Sequence, residues 1–146
     1  MRSLLLIAIL LAVAVVTGCS SAENSNAAKL IRELEAKDLK VRDITKEVKA
    51  EMPNVDENKT LVWLVEESER IYIEIPEDAE NSIEEKLPIY TSPVIDFTGI
   101  PHLYTKDELV ISYFGQNEKL LNALEDILGK SLVNEYASIV IKAIGS

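Results

Sequence analysis

Sulfur and imidazole are nearly missing from this sequence, in which Cys19 is the only cysteine and His102 the only histidine. A lone cysteine excludes an intrachain disulfide, a multi-thiolate zinc site and a one-chain iron–sulfur cluster. A lone histidine excludes a multi-histidine metal centre within one chain. With only five glycines, the chain holds no phosphate-cradling loop or dinucleotide fingerprint, and no Gly-x-Ser-x-Gly or metalloprotease motif is present. Basic side chains are also scarce, 15 against 25 acidic, for a net charge of −10. That balance opposes nucleic-acid binding and opposes adhesion to an anionic lipid surface through a basic patch. No cofactor or metal is expected.

What is present begins with the N-terminus. Arg2 supplies a positive start, and Leu4 to Val16 is an uncharged apolar run of thirteen residues. Val16-Thr17-Gly18-Cys19 closes it with small residues before the cysteine. A charged start, an apolar run of roughly 7–15 residues and small residues at a cleavage point mark a secretory signal. A membrane span needs about 20 apolar residues, and this run is shorter. The ending resembles the lipobox of prokaryotic (bacterial or archaeal) lipoproteins. The resemblance implies transfer of a diacylglyceryl group to the Cys19 sulfur and cleavage between Gly18 and Cys19. The mature chain would then start at Cys19, attached to the membrane by lipid and facing the extracytoplasmic side, at the cell surface or in the periplasm. With Cys19 lipidated, the rest of the chain has no thiol and no cysteine nucleophile.

Three segments follow from this: a signal peptide over 1–18, lipidated Cys19 with a polar tether over 19–26, and one α+β domain over 27–146. Removing Arg2 with the signal leaves 14 basic against 25 acidic side chains, a net of −11 over 128 residues. That length suffices for one domain burying roughly two-thirds of its unfolded surface.

Ala27 to Met52 lacks Gly and Pro and is rich in helix formers. Its pattern falters at Asp38-Leu39-Lys40, and Asp tolerates the left-handed conformation that often ends a helix. The spacing predicts two helices, 27–37 and 44–51, rather than one long helix with an incomplete heptad seam. Thr60–Val65 and Arg70–Ile75 read as an antiparallel hairpin, with Ile71, Ile73 and Ile75 facing in. Pro76 is placed to open a helix running to Lys86, with Ala79, Ile83 and Leu87 as its buried stripe and Pro88 as its stop. Ile89–Phe97 reads as extended or irregular around Pro93, and Thr98–Pro101 as a turn. Glu108–Phe114 reads as a strand, 117–128 as an amphipathic helix capped by Gly129, and Tyr136–Ile144 as a last strand. The fold class expected is α+β, with four to five mostly antiparallel strands packed with N-terminal helices and the helix at 117–128.

Four groups of side chains invite a chemical reading. Nine acids lie within residues 66–86, a cation-binding patch if the fold gathers them and a solvated face if it does not. No EF-hand spacing is present, and Asp56-Glu57-Asn58 lacks the glycine and distal glutamate of one. Asp96, paired with an acid such as Glu74, would serve a small carboxylate-dependent hydrolase; an Asx-type turn is the plainer use. His102 lacks an accompanying nucleophile motif and reads as a hydrogen-bonded loop histidine. Asn58-Lys59-Thr60 is a glycosylation sequon on a loop, and Trp63 and the tyrosines read as core. The catalytic, cofactor and metal sets are therefore expected to be empty, with Cys19 the one assigned site. The function expected is a non-catalytic binding module, tied to the membrane through Cys19 and meeting a protein partner there. A hydrolase and a cation-binding accessory lipoprotein are the alternatives.

Overall fold

The computed structural model describes residues 25–92 and 95–136. The chain runs α1 (Ser25–Glu35), β1 (Val41–Asp43), α2 (Thr45–Glu51), β2 (Thr60–Val65), β3 (Glu69–Glu74), α3 (Ala79–Tyr90), β4 (Pro101–Lys106), β5 (Leu109–Phe114) and α4 (Glu118–Leu128). Residues 132–136 make a further helical turn. The fold is α+β, and its five strands form one antiparallel sheet in the order β1-β2-β3-β5-β4.

The break after α1 is a backbone event at Asp38, whose φ is +56°. The Leu39 N–H reaches the Leu34 carbonyl at 3.4 Å and the Asp38 N–H reaches that of Glu35 at 3.0 Å, the two bonds of a Schellman cap. Leu39 folds back into the same core as Leu34, so the cap also buries apolar surface. The chain then does something its composition hides. Val41–Asp43 pairs with Val65, Leu64 and Trp63 as an edge strand before α2 begins. Three residues are too few to show a period, and neither neighbouring helix needs them.

Alternation sorts the strands into two faces. Trp63, Val65, Ile71, Ile73, Tyr104, Leu109, Ile111 and Tyr113 point to one face and pack under Ala27, Leu30 and Leu34 of α1 and Leu120, Ala123 and Leu124 of α4. The opposite face is covered in two patches. Ile44 and Val48 of α2 sit on Val62, while Ile83, Leu87 and Tyr90 of α3 sit with Val133 on Leu103 and Val110. Each large apolar side chain so buried contributes roughly 1.5–3 kcal/mol. With helices on both faces, the sheet encloses core rather than a cleft.

Two expectations for the middle of the chain fail. Asp78, not Pro76, precedes α3, its carboxylate accepting from the Asn81 N–H at 3.1 Å. The helix then runs through Pro88 to Tyr90, so Ile89 and Tyr90 are helical rather than extended. A proline inside a helix costs about 3 kcal/mol. Packing opposes that cost: Leu87 lies in the core patch, and Tyr90 donates to Ser112 at 3.0 Å and stacks edge-on with Phe114. The second failure is β4, which spans Pro101–Lys106, where the sequence marked only a turn ending at Pro101. Tyr136, expected to open a final strand, lies in the helical turn, and 137–144 fall outside the described residues.

On each side of the sheet a hydroxyl meets one strand N–H that has no neighbouring strand. The Thr45 hydroxyl accepts from the Val62 N–H at 2.9 Å beyond the end of β1. On the other edge the buried Ser131 hydroxyl accepts from the Leu103 N–H at 3.2 Å. Unpaired strand groups at a sheet edge can recruit other strands, and each of these contacts satisfies one of them.

Candidate functional site

The residues most able to carry chemistry lie in one row across the sheet. Register aligns Trp63 with Ile71, Ile71 with Tyr113 and Tyr113 with His102. Tyr104 stands two residues along β4 on the same face. His102 is therefore on a strand, not in the loop expected for it. Its ring lies nearly parallel to Tyr113 and Tyr104, with centroids 5.7 Å and 6.5 Å away. Nε2 lies 3.2 Å from the Gly115 carbonyl, so the neutral ring donates there and its lone pair sits on Nδ1. Glycine at 115 makes room for the Tyr113 ring, since a Cβ at that position would collide with its hydroxyl.

Burial pushes the His102 pKa below the usual histidine value, with the Gly115 carbonyl and the Glu125 charge opposing. The ring is thus neutral at pH 7. Nδ1 is buried and has no hydrogen-bond partner among the described residues, and the same holds for the Tyr104 hydroxyl and Trp63 Nε1. The Tyr113 hydroxyl donates to Glu69 at 2.6 Å and accepts from the Asn117 N–H at 3.0 Å, tying β5 to β3 and to the start of α4. Burial, first, raises the pKa of Tyr104 and of Tyr113 to about 12. Both remain protonated at neutral pH. As arranged, this row is a packed, partly hydrogen-bonded core.

The other sequence-marked residues are not brought together. Asp96 is exposed, whereas Glu74 is half-buried and held by Lys86 at 2.8 Å and by Ser82 at 3.3 Å. The nine acids of 66–86 are spread over the β2–β3 turn, β3, the connection after it and α3, and β3's six residues alone set Glu69 and Glu74 about 17 Å apart. Glu66 pairs with Lys119 at 2.7 Å and Glu77 with Lys59 at 3.4 Å, while Asp78 caps α3. The Lys119 contact lowers the Glu66 pKa. Among the described residues no three His, Cys, Asp or Glu side chains are grouped to hold a metal ion. A surface groove of about 360 Å³ lined by Lys59, Thr60, Glu74 and Ile75 is crossed by the Lys59–Glu77 pair. Asn58 is exposed in the turn before β2. Trp63, Tyr104 and Tyr113 are buried in the core. Cys19 and 20–24 lie outside the described residues.

One surface escaped the sequence. Tyr90, Phe97 and Phe114 close on one another with centroids 5.2–5.6 Å apart, and Tyr72 joins at 6.2 Å. Near them in the chain, Ile89 precedes Tyr90, Ile95 lies two residues before Phe97 and Ile100 three after it, and the three are 46%, 44% and 49% exposed. The Ile100 carbonyl accepts from the Gly115 N–H at 3.0 Å, fixing Ile100 next to Phe114. These residues come from β3, α3, β5 and the connection before β4, so no local period announces them.

Compared with protein-family profiles, characterised proteins and solved structures, the chain matches none. Among the described residues no helix is long and apolar enough to cross a membrane.

Proposed function

We propose that this protein is a lipid-anchored extracytoplasmic lipoprotein that acts without catalysis, as an interaction module at the membrane surface. The observation that carries this reading is the signal-like run ending Val16-Thr17-Gly18-Cys19, six residues before α1 begins at Ser25. At about 3.5 Å per residue, those six residues span at most ~21 Å, so the domain stays close to its anchor. Two acyl or alkyl chains hold durably, each buried methylene adding ~0.8 kcal/mol.

The non-catalytic part draws support from the covered sheet faces and from the exposed isoleucines. Asn26, at the start of α1, is bonded to the β4–β5 turn at Asp107, while Phe114 ends β5 at its other end. The isoleucine surface therefore lies about 17 Å, one strand length, from the anchored end. Glu85 shares a face of α3 with Ile89, and Asp96 follows Ile95 in the chain. The partner this surface suits is a protein presenting aliphatic side chains bordered by Lys or Arg.

Mass spectrometry of the protein from its native host tests the anchor. A mature chain beginning at a lipid-modified Cys19 is expected, and Cys19→Ala should leave the chain uncleaved and without lipid. A bare thiol at position 19 with Met1 intact would overturn the reading.

A further inference from the structure

We propose that Asn58 is an N-glycan acceptor, modified by a membrane-bound transferase that draws on a polyprenyl-phosphate- or pyrophosphate-linked sugar. The proposal rests on the extracytoplasmic placement above, since such donors are used on that side of the membrane. The motif is Asn58-Lys59-Thr60, and none of the other seven asparagines has Ser or Thr two places on.

Folding leaves this motif presented. Asn58 is exposed at a tight turn in which the N–H groups of Lys59 and Thr60 both donate to the Asp56 carbonyl, at 3.0 Å and 2.8 Å. The Asn58 N–H is held by the Asp56 carboxylate at 3.0 Å, but no hydrogen bond to a described residue engages the Asn58 carboxamide. A bulky polar substituent here displaces no packed side chain.

The position suits a membrane-embedded donor as well. Thr60 opens β2 opposite Glu74, and Glu74 lies opposite Val110 near the start of β5. The sequon thus sits at the end of the sheet where Asn26 binds Asp107, two strand spacings, about 10 Å, from β5. The lipid on Cys19 would keep this end, rather than the isoleucine end, nearest the bilayer.

In the transfer, Asn58 Nδ2 attacks the anomeric carbon of the sugar. An N–C bond forms, the C–O bond to phosphate breaks, and the polyprenyl phosphate or pyrophosphate leaves with that electron pair. One Nδ2 proton passes to a base of the transferase, and nothing is oxidised or reduced.

Peptide mapping by mass spectrometry of the full chain from its native host decides the matter. The expected result is a saccharide mass on the peptide holding Asn58, lost in Asn58→Gln and Thr60→Ala and kept in Thr60→Ser. The Cys19 peptide is read in the same spectrum. A lipid-bearing Cys19 with unmodified Asn58 overturns the glycosylation proposal alone, and a bare Cys19 on an uncleaved chain overturns the placement and this proposal together.

Discussion

The Asn26 side chain, in the first turn of α1, donates to the Asp107 carbonyl 2.7 Å away, across 81 residues of chain. Lys29, one turn on, reaches the Asp107 carboxylate at 3.2 Å. The first helix therefore holds the β4–β5 hairpin by its turn, at a backbone position the sequence does not favour. Asp107 and Glu108 both have positive φ, +49° and +67°, as a two-residue type I′ turn requires.

That turn should be improvable. Glycine adopts positive φ without the Cβ penalty, and Asp-Gly is a preferred type I′ pair. Glu108→Gly is expected to stabilise the fold by about 1 kcal/mol, raising Tm by several degrees. A thermal melt showing no gain would mean that the Glu108 side chain contributes as much as its backbone strain removes.

Removing the Tyr113 hydroxyl should cost more than its size suggests. Tyr113→Phe leaves Glu69 without its 2.6 Å donor and the Asn117 N–H without its acceptor. Denaturant unfolding should register a loss of about 1–3 kcal/mol, the penalty of polar groups left unsatisfied. A loss under half of that would show water replacing the hydroxyl.

Alkali should unfold the protein through the same row. The pKa values of Tyr104 and Tyr113 rise to about 12 in the fold, above the unfolded value of about 10. Their contribution is complete below pH ~10 and is lost as pH climbs through about 12. Ultraviolet titration of the five tyrosines should show two that ionise only at that high pH or on unfolding. Complete ionisation near pH 10 in the folded state would contradict the burial.

His102 should act in the opposite direction. Its folded pKa lies below the unfolded value of about 6.5, so its contribution is present above pH ~6.5 and fades as pH falls through the folded value. Melts from pH 8 down to pH 5 should decline more steeply for the native sequence than for His102→Phe, whatever the variant's absolute stability. Parallel slopes would exclude His102 as the source of acid sensitivity in this range, because the contribution of Glu66, with its lowered pKa, is lost only below the unfolded carboxylate value of about 4.5.

The exposed isoleucines separate binding from folding. Ile95→Asp with Ile100→Asp should change stability by no more than ~0.5 kcal/mol for each exposed site. A photo-reactive residue at position 98, between them, should crosslink one defined protein in the native host, and the double substitution should abolish that product. Crosslinking that survives the two aspartates would exclude this surface as the contact.

Local chemistry made much of the fold legible. The α1 break at Asp38, the β2–β3 hairpin, the inward isoleucines of β3 and the Gly129 end of α4 each follow from a few adjacent residues. What stayed hidden had no local signature. β1 is three residues long, β4 begins at a proline, and α3 runs through one, because partners far along the chain outweigh those propensities. The β4–β5 hairpin was obscured for the same reason: its turn is Asp-Glu rather than Asp-Gly and depends on Asn26.

By itself the sequence determined which chemistries are excluded, since a single cysteine and a single histidine cannot build a multi-thiolate or multi-histidine centre within one chain however it folds. It also supplied the expectation of an export signal, because a charge, an apolar run and small residues before Cys19 need no tertiary context to be read. Only the tertiary structure decided that Asp96 stays exposed while Lys86 and Ser82 hold Glu74, that His102 stacks on Tyr113, and that Tyr90 and Phe97 close on Phe114. Those relations depend on strand register and helix docking, which arise from packing between segments that no window of sequence contains.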